Sequence, residues 1–375
     1  MKYNFSNLGI IVTILATLSL NFANPKPKPV IIAYVGGFRG LADVDSIHVK
    51  HLSHINYAFV DIKDNRVWLH DEVSDTINLR RLTELRRQNS DLKIMISIGG
   101  WSWSKNFSDA VLTDTSRKAF AMSAVEMVAK YKLDGVDIDW EYPGMIGDSN
   151  TFRPEDKQHY TLLFKELRKG LDSLHRVTTR KYFLTTAAGS SQEWIDHTEM
   201  SKVQIYTDYI NLMAYDFAGE GDVISNHHTN LYASSADTSQ SSSDKSVRAM
   251  MAAGVPANKL VLGLGFYGKG WEMESTDNNG LFRKIHKAVS AGGFDFLKDS
   301  LINKKGFLRY WDSVADAPYI FNPETKVFIT YDDEQSVGKK CDYVKKYNLG
   351  GAMFWEYNDD KKEFLLSVVA KKFNY

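Results

Sequence analysis

The chain has 375 residues, of which 43% are hydrophobic and 25% are charged. This composition is typical of a globular protein, and the length is large for one domain unless the fold is a barrel. The 46 basic and 46 acidic residues give a formal net charge of zero. That balance provides no electrostatic case for binding nucleic acid or an anionic membrane, so neither is expected as a partner.

The N-terminal segment resembles a secretory signal peptide. Met1 and Lys2 precede an apolar stretch from Leu8 to Phe22, which is short for a membrane span. We expect a signal peptide over residues 1–24, a secreted or periplasmic location, and a mature chain of residues 25–375 without a membrane span. Because the small-residue cleavage pattern is imperfect, an uncleaved N-terminal anchor is the alternative.

Eight short apolar runs, rich in β-branched or aromatic residues, follow along the chain, and each predicts a strand. They are Val30–Tyr34, Ile55–Val60, Lys93–Ile98, Leu133–Trp140, Tyr182–Ala187, Tyr209–Met213, Leu260–Phe266 and Gly350–Trp355. Helical patterns lie between several of them, such as one through Phe120, Ala124 and Val128 and one that stops at Gly254 and Pro256. Crossover helices make successive strands parallel, and parallel strands read as continuous apolar runs. The pattern predicts an α/β fold, a (β/α)8 TIM barrel, with an open doubly wound sheet as the alternative.

The fourth predicted strand carries acids at alternate positions, Asp137, Asp139 and Glu141. Side chains alternate across a strand, so these three share one face, with about 13 Å between the outermost Cα atoms. Alternating charge usually means an edge strand whose acids face water. Three like charges on one face repel one another, however, and no nearby run of Lys or Arg neutralises them. Such crowding raises carboxyl pKa values, as in acids that donate a proton to a leaving group.

Other candidate site residues follow the predicted strands, because the carboxyl ends of barrel strands build the active site. They are Ser97, Gly99, Gly100 and Trp101 after the third strand, Met213, Tyr215 and Asp216 after the sixth, and Trp355 and Glu356 after the eighth. Aromatic planes bordered by a few directional polar groups suit sugar rings. Taken singly, each aromatic residue is as well explained by packing.

The interval between the seventh and eighth predicted strands is longer than a βα unit requires. Strand-like pieces at Phe307–Trp311 and Val327–Thr330 predict a small α+β insertion over residues 269–331. A loop at this position rises from the C-terminal face of the barrel and could form one wall of a groove. The alternative is an insertion that has no contact with substrate.

Metal and cofactor signals are absent from the sequence. It contains neither zinc-binding spacing nor a phosphate-binding loop, and the adjacent His227 and His228 are assigned a structural or rim role. Cys341 is the only cysteine, which excludes an intrachain disulfide, and its helical stripe with Val337 and Val344 favours a buried thiol. We therefore expect no metal and no cofactor.

These motifs together resemble glycoside hydrolase family 18, the chitinase family. Asp134, Asp137, Asp139 and Glu141 match its Asp-x-x-Asp-x-Asp-x-Glu signature on barrel strand four. In family order, the chain also has a Ser-x-Gly-Gly-Trp segment at 97–101, Met-x-Tyr-Asp at 213–216, Gly-Phe-Tyr-Gly at 265–268 and Gly-Gly-Ala-Met-Phe-Trp at 350–355. The late insertion resembles one that many of these chitinases carry. The resemblance covers nearly all of the mature chain.

The resemblance implies a chitinase that cleaves β-1,4 linkages between N-acetylglucosamine residues, with retention and with the substrate as nucleophile. Glu141 would be the general acid and then the base, while the 2-acetamido oxygen of the sugar attacks the anomeric carbon and forms an oxazolinium intermediate. Asp139 would orient the acetamido N–H, and Tyr215 would donate to its carbonyl oxygen. Asp137 would share a proton with Asp139, and Asp134 would be structural.

The resemblance also implies the substrate contacts. Trp355 would form the floor below the sugar at the cleavage point, and the residues expected to line the same site are Tyr34, Phe59, Trp101, Met213 and Asp216. Many relatives carry a Trp soon after Met-x-Tyr-Asp, whereas this chain has Ala218–Asp222 there, so one aromatic contact is expected to be absent. The expected partner is chitin or N-acetylglucosamine oligosaccharides, and the expected state is a monomer.

Two alternative functions remain open on the sequence alone. A non-catalytic chitin-binding lectin could use the same barrel, since a fold and its pocket can persist without turnover. The intact Glu141 argues against that reading. A hydrolase of the same family acting on N-glycan cores or peptidoglycan is the other alternative, and the insertion together with Trp101 and Trp355 favours a linear chitin chain over it.

Overall fold

The computed structural model describes Met1 and residues 28–375. The predicted signal peptide lies outside the described residues, apart from Met1, so the secreted or periplasmic location stays a prediction. Within residues 28–375, none of the helices has the length and apolar character needed to cross a membrane.

Fourteen strands are present in residues 28–375. In chain order they are β1 (Val30–Gly36), β2 (His54–Lys63), β3 (Arg66–Trp68), β4 (Lys93–Gly99), β5 (Gly135–Asp139), β6 (Phe183–Ala188), β7 (Tyr209–Leu212), β8 (Leu260–Gly265), β9 (Lys269–Met273), β10 (Ile285–Val289), β11 (Leu308–Asp312), β12 (Ala317–Asn322), β13 (Val327–Thr330) and β14 (Gly351–Trp355). Each of the eight predicted runs coincides with a strand of the larger sheet, namely β1, β2, β4 to β8 and β14.

This larger sheet is a closed barrel. Its strands follow the order β1-β14-β8-β7-β6-β5-β4-β2, all neighbours are parallel, and β2 pairs in turn with β1. The pairing of β1 on both sides excludes the open doubly wound sheet. The predicted (β/α)8 barrel is confirmed, and its C-terminal strand ends meet at one rim.

Ten α-helices accompany the strands in the same residues. They are α1 (Glu72–Glu84), α2 (Phe107–Ala110), α3 (Asp114–Lys130), α4 (Asp156–Thr178), α5 (Gln192–Asp196), α6 (Met200–Tyr206), α7 (Ser243–Ala252), α8 (Phe294–Phe296), α9 (Glu334–Lys346) and α10 (Leu366–Phe373). The Thr113 side chain caps α3 in a reciprocal capping box with Ser116. Past the end of α7, Gly254 adopts a φ of 91° that other residues disfavour. Cys341 is buried on α9, as its stripe predicts.

The barrel wall separates two apolar clusters. Val136, Ile138 and Trp140 point outward from β5 into the core between strands and helices. The inward cluster is smaller and comprises Val30, Ile32, Tyr34, Ala58, Val261 and Met353. Asp137 and Asp139 alternate with the outward residues, so they point into the barrel, as the period of two predicts.

A second sheet lies between β8 and β14. Its five strands follow the order β10-β9-β13-β12-β11 and are antiparallel. Trp271, Phe321 and Phe328 are buried in its own small core, and this core includes Ala218 from the loop after β7. The sheet is therefore packed against a loop of the barrel rim.

Candidate active site

The three alternating acids lie at the centre of the barrel rim. Asp137 and Asp139 belong to β5, and Glu141 lies two residues beyond its end. Their exposed fractions are 0%, 4% and 9%, rising toward the rim. Asp134, by contrast, lies before β5 and pairs with Arg86 and Arg180, so its structural assignment agrees with its contacts.

Asp137 is the innermost acid and is surrounded by donors. Its Oδ2 accepts hydrogen bonds from the Tyr34 hydroxyl at 2.9 Å and the Ser97 hydroxyl at 2.8 Å. Its Oδ1 accepts from the Thr185 hydroxyl at 2.5 Å and from Asn211 Nδ2 at 3.2 Å. Burial raises the pKa of Asp137, and these four donors oppose the rise. The innermost carboxyl is thus fixed in position by the barrel interior.

The two outer acids hold protons more tightly than free carboxyls. Burial, followed by the charges of Glu141 and Asp137, holds the pKa of Asp139 well above its usual value, and its Oδ1 has no partner in the described residues. Burial raises the pKa of Glu141 to about 7, with Asp216 adding to the rise and a Tyr142 hydrogen bond opposing it. A carboxyl with this pKa can give up a proton and take it back near neutral pH. Because the acids interact, the set titrates as a unit.

Asp216 differs from these acids because it stays ionised. Partial burial alone would raise its pKa, but the nearby His228 ring and the positive charge of Lys269 outweigh burial and hold the pKa below its usual value. Lys269 Nζ lies 2.8 Å from Asp216 Oδ1, and the Tyr267 hydroxyl donates to the same oxygen at 2.6 Å. Asp216 has a φ of 60°, in the left-handed region. These contacts hold a fixed negative charge beside Glu141.

Aromatic rings form the floor on the side of β1. The Phe59 and Trp355 rings stack with centroids 5.3 Å apart, and Phe38 stacks on Trp355 at 6.1 Å. Trp101, which follows β4, is 50% exposed and meets the Tyr142 ring edge-on. Tyr215 is partly buried, its hydroxyl 4.0 Å from Met353 Sδ, and burial and the charge of Asp139 hold its pKa well above the usual value.

The turn after β4 brings backbone close to these residues. Gly99 and Gly100 have φ values of 107° and 83°. A Cβ on Gly99 would lie 2.1 Å from the Asp139 carbonyl oxygen, and one on Gly100 would lie 2.5 Å from the Phe59 ring. Only glycine fits both positions, which explains the Ser-x-Gly-Gly-Trp segment physically.

A cavity of about 760 Å³ opens at this rim. Its lining residues are Phe59, Trp101, Asp139, Glu141, Tyr142, Met145, Gly189, Ser190, Ser191, Trp194, Met213, Tyr215, Asp216, Gly219, Glu220, Tyr267, Lys269 and Trp355. Eight of the ten residues that the sequence analysis predicts to be catalytic or to contact substrate therefore line one cavity. Tyr34 and Asp137 are not in the lining; they lie below it, where the Tyr34 hydroxyl donates a hydrogen bond to Asp137.

Several lining residues were not singled out from the sequence. Tyr142 follows the acidic motif directly, and Tyr267 lies within the Gly-Phe-Tyr-Gly segment, so both had a local signal. No local sequence signal marks Lys269, Glu220 or the Gly189–Ser191 turn, because only the closed barrel brings their loops to one cavity. His227 and His228 are buried behind the wall, and His228 Nδ1 lies 3.7 Å from Asp216. Within the described part of the chain, no three acidic, His or Cys side chains are grouped to hold a metal ion.

Comparison with known proteins decides the family. The family model described as Glycosyl hydrolases family 18 matches residues 30–360. The chain belongs to this family. Among curated relatives, Chitinase A1 of Niallia circulans is 39% identical over 87% of this chain, and Chitinase 1 of Aphanocladium album is 30% identical over 84%. The alignments span 55% and 77% of those proteins, so this chain covers only about half of Chitinase A1.

Solved structures of similar enzymes agree with the fold. An N-acetylglucosaminidase from Paenibacillus barengoltzii is 41% identical with a TM-score of 0.85, covering 92% of this chain and 99% of that one. A chitinase from Bacillus thuringiensis is 31% identical with a TM-score of 0.87, covering 93% of this chain and 70% of that one. This family 18 chain therefore resembles enzymes that carry both names.

Proposed function

We propose that this family 18 protein is a chitinase that hydrolyses β-1,4 linkages between N-acetylglucosamine residues with retention of configuration. The observation that carries the proposal is Glu141, a buried carboxyl at the cavity wall whose pKa is raised to about 7. A group with this pKa is protonated often enough to act as an acid and ionised often enough to act as a base. One residue can therefore serve both halves of a retaining reaction.

In the first half, Glu141 protonates the glycosidic oxygen while the bond from that oxygen to the anomeric carbon breaks. The substrate supplies the nucleophile: its acetamido oxygen forms a bond to the anomeric carbon and gives an oxazolinium ion. In the second half, ionised Glu141 takes a proton from water. The water oxygen forms a bond to the anomeric carbon, and the bond from that carbon to the acetamido oxygen breaks, which opens the oxazolinium ring. No protein side chain becomes covalently attached to the sugar.

The residues below the cleavage point suit this substrate assistance. Asp139 has a buried oxygen without a partner, which an acetamido N–H would satisfy. Tyr215, across the cavity, would donate to the acetamido carbonyl, and its raised pKa keeps the hydroxyl protonated. Trp355 would carry the sugar ring on its apolar face, with Phe59 stacked beside it. Asp137 would support Asp139 by sharing its proton from beneath.

The relatives support N-acetylglucosamine as the sugar, because they include chitinases and an N-acetylglucosaminidase. Removal of single residues from a chain end is the second candidate, which the similarity to the P. barengoltzii enzyme along nearly its whole length favours. Residues 25–375 would form the secreted or periplasmic catalytic domain, and residues 269–331 would be its insertion. Tyr267 and Lys269 reach the cavity at the start of that insertion. The enzyme would be a monomer and would need no metal or cofactor.

Digestion of the N-acetylglucosamine hexamer, with products separated by chromatography over time, tests the proposal. An early mixture of dimers to tetramers supports a chitinase that cuts internal bonds. Early monomer and pentamer alone would instead support the N-acetylglucosaminidase. Binding of the hexamer without any products would indicate the lectin alternative, and hydrolysis of peptidoglycan or N-glycan cores in preference to the hexamer would replace chitin as the substrate.

A further inference from the structure

The barrel has a second end, opposite the cavity, where its strands begin. The helices between barrel strands run back toward this end, so their C-terminal turns lie there too. We call this end the lower face and define it by the stretches that run from a last helical turn to the start of the next barrel strand, together with the start of β1 and the end of α10. These stretches are residues 28–30, 51–54, 85–93, 127–135, 175–183, 203–209, 249–260, 343–351 and 370–375.

Basic residues are concentrated on the lower face. The whole chain has equal totals of 46 basic and 46 acidic residues, but the acids of these stretches are only Asp91, Asp134 and Asp208. Their basic residues are Lys28, Arg86, Arg87, Lys93, Lys130, Lys132, Arg176, Arg180, Lys181, Lys259, Lys345, Lys346, Lys371 and Lys372. The net charge of zero is thus the sum of a positive lower face and a negative remainder. The equal totals alone gave no reason to expect a membrane contact, whereas this distribution does.

Helix dipoles explain only part of this positive charge. A cation in the last turn of a helix is stabilised by the partial negative charge there, which accounts for residues such as Lys130 and Arg176. Lys28, Lys93 and Lys181 lie outside the helices, at or just before the starts of strands. The positive charge of the lower face therefore exceeds what helix stability requires.

Most cations of the lower face lack an acidic partner. Asp134 is shared by Arg86 and Arg180, and Asp208 pairs with Lys181. Within residues 28–375, no ion pair is formed by Lys28, Arg87, Lys93, Lys130, Lys132, Arg176, Lys346 or Lys371. These side chains are available to anionic groups of a partner.

Exposed apolar and aromatic side chains accompany the cations. Val177, Ile205 and Met251 lie in the last turns of α4, α6 and α7 and are 83%, 66% and 41% exposed. Three lysines lie over tyrosine rings, with Nζ 5.0, 5.2 and 5.4 Å from the ring centroids, in the pairs Lys130–Tyr131, Lys346–Tyr347 and Lys28–Tyr375. Lysine, tyrosine and exposed aliphatic side chains together are typical of protein surfaces at the membrane interface. A soluble polyanion would need only the cations.

The N-terminal segment joins the barrel at this same face. Lys28 stands two residues before β1, and its Nζ donates to the Asn374 carbonyl at 2.6 Å, beside the end of α10. In the sequence, Lys26 adds a further cation just upstream, and the apolar stretch from Leu8 to Phe22 precedes it. The segment that the sequence marks as a signal peptide or an anchor is therefore connected to the lower face and not to the cavity rim.

We propose that the lower face is a docking surface for an anionic lipid bilayer. Lipid phosphates would contact the unpaired cations, while Val177, Ile205 and Met251 would lie at the level of the headgroups. The cations are distributed around the whole end of the barrel, from α1 to α10, which fits a plane better than a single polymer chain. Because the cavity opens at the opposite end, a docked molecule presents it away from the bilayer.

The strength of docking should depend on both the lysines and the ionic strength. A lysine near an anionic lipid surface strengthens binding about fivefold, so the loss of three lysines should weaken partitioning about a hundredfold at low salt. The Debye length falls from about 10 Å at 0.1 M to about 3 Å at 1 M ionic strength, so high salt should release the protein.

Co-sedimentation with vesicles of phosphatidylcholine, with or without phosphatidylglycerol, tests this inference. The proteins are the wild type, the triple variant Lys130→Gln, Lys346→Gln and Lys371→Gln, and a matched control with Lys118→Gln, Lys245→Gln and Lys284→Gln. The control lysines are exposed, form no ion pair in the described residues, and lie in the first halves of α3 and α7 and just before β10. Both variants have the same net charge, and all three proteins share one N-terminus.

We expect the wild type and the control to bind the vesicles with phosphatidylglycerol, in a salt-sensitive way, and the lower-face variant to bind about a hundredfold more weakly. Equal binding of the wild type to both kinds of vesicle, or an equal loss in the two variants, would overturn the inference. Binding to a soluble glycerol phosphate polymer that depends on the same lysines, without binding to vesicles, would overturn the lipid assignment and favour an anionic wall polymer.

Hydrolysis of the N-acetylglucosamine hexamer, measured with and without the anionic vesicles, tests the orientation. Its rate should be the same for all three proteins and should not change on docking, because the cavity faces away from the bilayer. Inhibition of the docked wild type, relieved by high salt, would contradict this orientation. Binding by a protein that does not cleave the hexamer would contradict the proposed function and leave the docking surface intact.

Discussion

Thr185→Val tests how the barrel interior controls the buried acids. Thr185 is fully buried, and its hydroxyl donates the shortest of the four hydrogen bonds to Asp137, at 2.5 Å. Valine keeps the shape and removes the donor. A hydrogen bond to a charged group contributes about 1.5–3 kcal/mol, and losing this donor should raise the pKa of Asp137 further.

The sign of the pH dependence follows from the direction of the pKa shift. Burial already raises the pKa of Asp137 in the folded state, so its ionisation destabilises the fold as the pH rises through that pKa. Replacing Thr185 by valine removes a hydrogen bond to the ionised carboxylate, so it increases the free-energy cost of ionising Asp137 in the folded state. The free energy of unfolding should fall by about 1.5–3 kcal/mol near pH 8 and by nearer 1 kcal/mol at about pH 4, because the lost hydrogen bond is stronger to an ionised carboxyl than to a neutral one.

Urea denaturation at both pH values measures this effect, and Thr186→Val is the matched control. Thr186 is equally buried and neighbours Thr185, but its hydroxyl donates to the Ile138 carbonyl at 2.8 Å and does not contact Asp137. Its loss should cost the same at both pH values. An equal, pH-independent loss in the two variants would refute the reasoning.

Two further perturbations follow from the ionic contacts. Asp216→Asn removes a negative charge that raises the pKa of Glu141, so the alkaline limb of the pH profile of kcat/KM should move to lower pH; an unmoved limb would show that Asp216 does not act on Glu141. Lys340 is buried 2.6 Å from Asp332, so Lys340→Met leaves a buried charge unpaired and should lower the free energy of unfolding by about 3–5 kcal/mol. The exposed neighbour Lys339 provides the control, since Lys339→Met should cost at most about 1 kcal/mol, and equal losses in denaturation would contradict this contrast.

The barrel could be predicted because its signals are local and repeated. Parallel strands covered on both faces read as apolar runs, and the Thr113 cap and Gly254 define helix ends. The direction of Asp137 and Asp139 followed from the two-residue period of a strand. None of these inferences needs knowledge of which strands are neighbours.

The details of the site that depend on which strands and loops are neighbours in the fold could not be predicted from local sequence patterns. Tyr34 was expected to line the cavity, but it is buried outside the lining, where its hydroxyl donates to Asp137. Lys269 begins a strand of the second sheet, and nothing in its local sequence indicates a contact with Asp216. Glu220 reaches the cavity because the second sheet buries Ala218. Such contacts join residues far apart in the chain, so they emerge only from the closed fold.

Proton NMR of fresh products from the N-acetylglucosamine hexamer, for the wild type and Glu141→Gln side by side, tests the central claim most directly. The account predicts early β-anomer from the wild type, because the acetamido oxygen and then water attack the anomeric carbon from opposite faces, and two inversions give net retention. It predicts a fall in turnover of about 10² to 10⁴-fold for Glu141→Gln, with hexamer binding retained. Early α-anomer, or undiminished turnover by the variant, would contradict the assignment of Glu141 as acid and base of a substrate-assisted retaining hydrolase.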